Sequence, residues 1–463
     1  CLFFLPISPS EALKPQGSEN PTGLILYLLG VTIGLPYMVL STTGPLVQAW
    51  FAKERSDVVP YRLFALSNLG SMLALLAYPL AVEPLLTTRA QSWAWSGLFL
   101  CFVAACAYLA WRGRGHGVPN ASLASAGTDA AAPGGSSVSW GQRGLWVALA
   151  ACPSILMVAD TSFLTENIAP IPMLWVAPLA LYLLSFILCF EGQGWYRRAL
   201  WLPLFVLALG LLAYLPTLGI GEWPIATTVG LNLCAFFVVC MVCHGELARQ
   251  QPSSEHLTMY YLMLSVGGFL GGFFVGVIAP YGFDSNYELS VGLVLSALVV
   301  MAVLLGRHGQ WPQTGRGPLW VAGLALVLGL GVVRVQDHLE DNQGVDWMAR
   351  NFYGALKVYE VTDGGYLSML HGQIIHGQQF TDEQRRRQPT SYYTPNAGAG
   401  MALLAKAAQG PLKVGVVGVG VGTLVTYGRA GDVYRVYDID PLVIQMAQQK
   451  FTYLRDTAAS TEV

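Results

Sequence analysis

Runs of about twenty apolar residues recur along most of this chain, and no other feature limits its fold as tightly. A helix of that length crosses the roughly 30 Å hydrocarbon layer of a bilayer, where only helices and closed barrels satisfy their own backbone groups. Such runs fall at about ten places: 24–51, 62–82, 92–111, 144–165, 171–190, 199–217, 224–244, 257–280, 288–306 and 318–335. Charged residues make up only 11% of the 463, against roughly 25% in soluble domains, and the mean hydropathy is +0.49. Residues 24–336 therefore read as a multi-span α-helical membrane domain whose first partner is the lipid bilayer. Within it, 112–143 is a Gly/Ala/Ser-rich tract with too few apolar residues to pack, and it is expected to be a flexible loop. The sequon Asn120-Ala121-Ser122 in that tract is a common triplet and carries no weight. Residues 1–23 form a leading loop that lacks the basic leader and long apolar core of a signal peptide.

Loop charges orient such a domain. Lys53, Arg55, Arg62, Arg112, Arg114, Arg143, Arg197, Arg198, Arg249, Arg307 and Arg316 lie on alternate loops, while the opposite loops carry Glu83, Glu166, Glu222, Asp284 and Glu288, with Arg89 as their one strong base. The long loop is thus expected in the cytoplasm of a cell (inner) membrane protein. If the run 318–335 also spans, everything after it emerges on the other side. The cofactor chemistry argued below favours a cytoplasmic tail, which requires 318–335, short and ending near Arg334, to lie at the interface, or another run to be re-entrant.

Few polar groups interrupt the apolar body. Asn68, Asp160, Glu166, His244 and Glu246 sit in or at the ends of the runs, and ionisable groups at membrane depth usually serve a site. Asp160 is the one expected to be deep. Asp160 and Glu166 are expected to bracket a short turn, and His244 and Glu246 to close a helix near water. In Ser265–Gly276, Gly267/Gly271 and Gly268/Gly272/Gly276 recur at four-residue spacing, which makes smooth faces for close helix packing. The eight cysteines are Cys1 plus seven in apolar helices, so no disulfide framework is expected. Cys240-Met241-Val242-Cys243-His244 matches a c-type haem attachment pattern, but inside an apolar helix it gives a haem no exposed backbone. Neither haem nor a metal is expected, and a net charge of −2 predicts no nucleic-acid partner.

After Asp337 the character changes, and roughly half of the charges fall there. Residues 337–400 are β-rich: Ala355–Glu360, Tyr366–Leu370 and Gln373–Ile375 read as strands, with Asp363-Gly364-Gly365 as a turn. His371, His376 and Arg385-Arg386-Arg387 are read as solvated hairpin and turn groups. Residues 401–463 read as strand, glycine loop, helix and second strand, an incomplete Rossmann-like α/β unit of the S-adenosylmethionine-binding type. Lys413–Val417 is a β-branched run suited to a buried parallel strand. Gly418, Gly420 and Gly422 allow a sharp turn and close approach of a ligand to the positive end of the next helix. Tyr434–Tyr437 is the second strand, and Asp438 at its end is where nucleotide-binding folds hold ribose hydroxyls. Thr423 replaces the third small residue of the dinucleotide fingerprint, so the spacing fits an adenosyl cofactor better than a nicotinamide one. Asp440-Pro441 supplies an N-cap and first-turn proline for another helix. Starting at Cys1 and stopping two strand-helix units into this domain, the chain is expected to be a fragment truncated at both ends.

In this order the pieces resemble the spermidine synthase-like proteins fused to a multi-span, major-facilitator-like membrane domain. The likeness runs through GLPYMVLSTTGPLVQAWF, YRLFALSNLGSMLALLAYPLAVEP, PIPMLWVAPLALYLLSFI and CHGELARQQP, then RNFYGALKVYE, LHGQIIHGQQF, PTSYY and VGVVGVGVGTLVTYG…YDID. The resemblance implies a polyamine aminopropyltransferase. Its co-substrate would be decarboxylated S-adenosylmethionine and its acceptor a small amine such as putrescine, whose nitrogen attacks the carbon beside the sulfonium. It implies that Gly418, Gly420 and Gly422 line the nucleoside, that Asp438 holds the ribose, and that Tyr392 or Tyr393 lies near the amine. The family's main catalytic aspartate belongs to a strand beyond Val463, so this fragment is expected to lack catalysis of its own. Val421 stands where the family loop has an aspartate, Tyr392-Tyr393-Thr394 or Tyr393-Thr394-Pro395 where it has Tyr-His-Glu, and Leu370-His371-Gly372 where it has Leu-Asp-Gly. Each change removes negative charge or alters polarity where a polyamine would sit. Two alternatives follow: an S-adenosylmethionine-dependent methyltransferase, and a polyamine or small-molecule transporter with a nucleoside-sensing tail.

Overall fold

The computed structural model describes residues 5–6, 21–54, 61–113, 138–168, 171–192, 194–218, 222–305 and 317–463. Most of the leading loop 1–23, most of the loop 112–143 including Asn120, and Arg55, Arg114, Arg307 and Arg316 lie outside the described residues. The helical body consists of α1 (Pro21–Leu29), α2 (Leu35–Glu54), α3 (Tyr61–Ala77), α4 (Glu83–Leu85), α5 (Thr88–Gly113), α6 (Trp140–Asn167), α7 (Pro172–Glu191), α8 (Arg198–Tyr214), α9 (Ile225–Ala248), α10 (Leu257–Phe273), α11 (Ala279–Gly282), α12 (Glu288–Leu305) and α13 (Gly317–Asp341). Single π turns join α1 to α2, α3 to α4 and α10 to α11, so each pair runs on as one span. Among the described residues eight helical spans are long and apolar enough to cross a membrane, and Glu288–Leu304 is a shorter apolar helix. This architecture is compatible with a multi-pass membrane protein.

The bundle is organised on α6. Its apolar window is 56% buried, against 6% for each of the first two spans, so the outer helices keep apolar side chains such as Leu66 and Leu73 uncovered. Large apolar surfaces of that kind suit lipid rather than water. Ser139 caps α6 by accepting from the Gln142 N–H at 3.2 Å, and the helix carries Pro153 in its interior. Against it lies α10. A Cβ on Gly267 would stand 2.4 Å from the Val147 carbonyl oxygen, and one on Gly271 would stand 2.7 Å from that of Ala151. The two glycines let the backbones touch, and the Ser154 hydroxyl donates to the Gly268 carbonyl at 2.8 Å. The second glycine face does not pack: Gly268 and Gly276 have no neighbour within 4 Å of an added Cβ.

Two expectations need correction here. Asp160 and Glu166 bracket no turn, because α6 continues unbroken to Asn167. His244 and Glu246 do not face water; both are fully buried within α9. The run 318–335 lies in α13, a 25-residue helix packed antiparallel along α12. Gly323 lies beside Met301 near one end, and Arg334 donates to Ser290 Oγ at 2.8 Å near the other. The tail therefore leaves from the pole opposite the α12–α13 loop.

The tail docks on that pole. It opens with four strands, β1 (Val345–Asn351), β2 (Gly354–Val361), β3 (Tyr366–His371) and β4 (Ile374–Phe380), in one antiparallel sheet of order β1-β2-β3-β4. The strand β1 escaped the sequence reading because its polar and apolar residues do not alternate cleanly. Arg350 of β1 pairs with Glu288 at the head of α12 at 2.5 Å and donates to the Ser285 carbonyl at 2.7 Å. Across the β3–β4 turn, Gln373 donates from its backbone to Asn167 Oδ1 at 3.1 Å and from its side chain to the Pro216 carbonyl at 3.1 Å.

Beyond these strands come α14 (Gly398–Ala407), β5 (Lys413–Val417), β6 (Val433–Tyr437), α15 (Pro441–Gln449), α16 (Tyr453–Asp456) and β7 (Ser460–Glu462), the three strands forming a parallel sheet β5-β6-β7. Its inner face shares a core with the first sheet: Leu356, Val358 and Met369 meet Val416, Tyr434 and Val436. The outer face is bare, with Val417 93% exposed, so β5 is buried on one side only rather than on both. Asp432 locks β5 to β6, accepting the Leu412 N–H at 2.7 Å and the Arg429 N–H at 2.9 Å. The Arg429 side chain and these N–H groups hold its carboxyl down at about 2, below the ordinary 3.8. The folded value is lower than the unfolded one, so this contribution is complete above 3.8 and lost as pH falls toward 2. Amide exchange in β5 and β6 should accelerate across that window, and Asp432→Asn should remove that part of the acid response.

Candidate functional site

The glycine loop begins where β5 ends. Val417 is the last strand residue, and Gly418, Gly420 and Gly422 take φ of 93°, 53° and 86°, a left-handed conformation that side chains resist. The parallel β5–β6 ladder runs one bond beyond the strand, the Gly418 N–H reaching the Tyr437 carbonyl at 2.7 Å. The expected α-helix after the loop is absent: Thr423–Tyr427 forms a single 3-10 turn. Three of those five residues are β-branched and the chain then meets Gly428, so helix formation is weak. The loop consequently offers its own N–H groups but no helix dipole.

Asp438 stands at the end of β6 beside the loop, accepting the Val419 N–H at 2.8 Å and the Asp440 N–H at 2.9 Å. It orients the turn directly, and a carboxylate retains lone pairs for hydroxyls after two such bonds. Asp440 caps α15 through the Leu442 N–H at 2.9 Å, as Asp440-Pro441 predicts. A slight depression with room for little more than a water molecule adjoins the loop; Tyr393, Gly418, Val419 and Thr423 are among its lining. The Thr423 hydroxyl, missed in the sequence as anything but a broken glycine pattern, is buried and has no hydrogen-bond partner among the described residues.

Of the two tyrosines, Tyr393 reaches the depression and Tyr392 is exposed. Burial first, and Tyr392 second, push the Tyr393 phenol up to about 12, so it serves as a neutral hydrogen-bonding group. Val421 is buried against Gly377 of β4, where an added Cβ would stand 2.5 Å from its methyl. His371 and His376 are half-buried rather than solvated, with rings 5.8 Å apart. Burial, then His371, hold His376 below the usual imidazole range. Of the arginine triplet, Arg385 pairs with Asp382 at 2.7 Å and Arg386 with Asp456 at 3.1 Å.

The four membrane candidates do not converge. Glu246 is held at one pole by Arg198 at 2.6 Å and by the Tyr196 hydroxyl at 2.7 Å. His244, two residues earlier in the helix, bonds Ser185 through Nδ1 at 2.7 Å and stacks on Phe186, so the haem-like motif is closed within the core. Glu166 lies at the tail pole, accepting from Asn286 at 2.6 Å. Asp160 lies between them, facing Asn232 of α9, a neighbour no sequence pattern signals. Among the described residues no group of three His, Cys, Asp or Glu is placed to hold a metal. Comparison with family models, with curated proteins and with solved structures gave no match.

Proposed function

We propose that the tail is an adenosyl-binding, spermidine synthase-like transferase domain carried by a multi-pass membrane body. Its co-substrate is decarboxylated S-adenosylmethionine and its acceptor a polyamine such as putrescine. The observation that supports this reading is the left-handed glycine turn at the end of β5, tied to Asp438 on the neighbouring strand. In this reading the loop N–H groups and Asp438 hold the nucleoside, Thr423 adds a hydroxyl, and Tyr393 faces the amine. The chemistry needs a carboxylate to take the amine's proton as the nitrogen attacks and the sulfur leaves neutral. We assign that role to no residue of this chain. The buried Val421 favours a second reading, a methyltransferase using S-adenosylmethionine, because an apolar side chain there offers nothing to a cationic amine.

Asp438→Ala tests the site. Removing hydrogen bonds to a charged acceptor costs about 1.5–3 kcal/mol, so affinity for the adenosyl ligand should fall roughly tenfold to a hundredfold while the β1–β4 sheet stays folded. Undiminished binding by the variant counts against the proposal.

The reading also requires a cytoplasmic tail, since adenosyl cofactors are made in the cytosol. By the loop-charge rule the basic loops are cytoplasmic, and α13 carries the tail to the opposite pole. These two arguments exclude each other, and reporter fusions separate them. A reporter in the loop 112–143 and one after Val463 should report opposite sides of the membrane. A cytoplasmic reporter after Val463 supports the transferase, a non-cytoplasmic one contradicts it, and reporters on the same side contradict the path of α13.

A further inference from the structure

The membrane body holds a feature the tail does not explain. Asp160 on α6 is 1% exposed and Asn232 on α9 is 0% exposed. Neither oxygen of the Asp160 carboxyl, and neither polar atom of the Asn232 amide, has a hydrogen-bond partner among the described residues. The two groups face each other within interaction range, without the geometry of a well-formed hydrogen bond. Each lies seven residues from the helix end at the tail pole, Asn167 of α6 for the one and Ile225 of α9 for the other. At 1.5 Å per residue that is about 10 Å inside the bundle.

Among the described residues the surroundings contain no counter-charge. On α9 the ionisable side chain that senses Asp160 is Cys240, two turns beyond Asn232, and beyond it Tyr182 stands on α7. Glu288 at the head of α12 is engaged by Arg350. On α6 itself, Glu166 is engaged by Asn286. The helix α10 has no ionisable side chain from Leu262 to Pro280. A carboxylate left alone in such a place is strongly disfavoured. Asp160 and Asn232 together offer three oxygens, too few for a hard metal cation, which takes about six or more. A proton needs no cavity, and one proton turns the carboxyl into a donor for the Asn232 carbonyl oxygen.

We propose that Asp160 and Asn232 form a proton-binding site at the contact of α6 and α9. Asp160 takes its proton from water and donates it in a hydrogen bond to Asn232 Oδ1, which holds the two helices together. Return of the proton to water leaves a buried carboxylate with no counter-charge, faced only by a neutral amide, so release requires the helices to part and admit solvent. Protonation and helix packing are thereby coupled, as a proton-driven transport step demands. The proposal is independent of what the tail binds.

Infrared spectroscopy of the full chain in lipid, with aspartate carrying carbon-13 in its side-chain carboxyl, reads the site directly. At pH 7 the expected result is an isotope-shifted stretch of a protonated aspartic acid. It should be lost in Asp160→Asn, change frequency in Asn232→Leu, and be unaffected by exchanging sodium for choline. Absence of any such band in the unmutated chain overturns the proposal without need of a variant. A band indifferent to Asn232→Leu overturns it as well, even if Asp160→Asn does not fold. A band abolished by sodium assigns the site to a metal cation instead and equally overturns it.

Discussion

Replacing Gly267 with leucine should break the contact between α10 and α6, while the same change at Gly268 should leave the protein as stable as before. At Gly267 even the first side-chain carbon would stand 2.4 Å from the Val147 carbonyl oxygen and 2.8 Å from Ala150 Cβ. Neither can yield, because the first belongs to helix backbone and the second is fixed to it. Overpacking of this kind costs about 1–3 kcal/mol, and more where backbone must move. At Gly268 nothing lies within 4 Å of an added carbon, and substitutions in open positions usually stay within about 0.5 kcal/mol. Thermal unfolding of the two variants in one detergent checks the difference. Equal loss at both positions would mean that the second glycine face also packs.

The same pair shows how far the sequence could be read. Four-residue spacing marks both glycine faces equally, and only the neighbour decides which one is used: α6 presents the carbonyl oxygens of Val147 and Ala151 to Gly267 and Gly271. The helical runs were legible because length and apolarity are local properties. The path of α13 was not, since its direction rests on Met301 and Ser290 of another helix. In the tail, β5, β6 and the cap at Asp440 were legible from β-branched runs and an Asp-Pro pair. The 3-10 turn after the glycine loop was not foreseen, because the glycine pattern outweighed the β-branched residues behind it. Asn232 had no signal at all: a lone amide in an apolar run acquires meaning only when Asp160 is found opposite.

Arg350→Ala should free the tail from the pole of the bundle. The Arg350–Glu288 pair is 9% and 4% exposed on its two sides, and the arginine also holds the Ser285 carbonyl. A buried ion pair as a whole contributes little net stability, but removing one partner strands the other and costs about 3–5 kcal/mol. The single change should expose the β1–β2 hairpin to protease while the helical body stays folded. Replacing both residues by methionine should restore most of the loss, because no charge is then left buried. A single variant as protease-resistant as the original chain would show that the Gln373 bonds to Asn167 and Pro216 hold the tail by themselves.

Every functional statement about the tail depends on one claim, that the glycine turn and Asp438 bind an adenosyl group. Calorimetric titration of the full chain in detergent tests it most directly, with S-adenosylmethionine and its decarboxylated form each offered with and without putrescine. The account predicts preferential binding of the decarboxylated form, strengthened by putrescine and weakened by Asp438→Ala. Preference for the carboxylated form would transfer the tail to the methyltransferase reading. Binding of neither form, with Asp438→Ala indistinguishable from the original chain, would contradict the account.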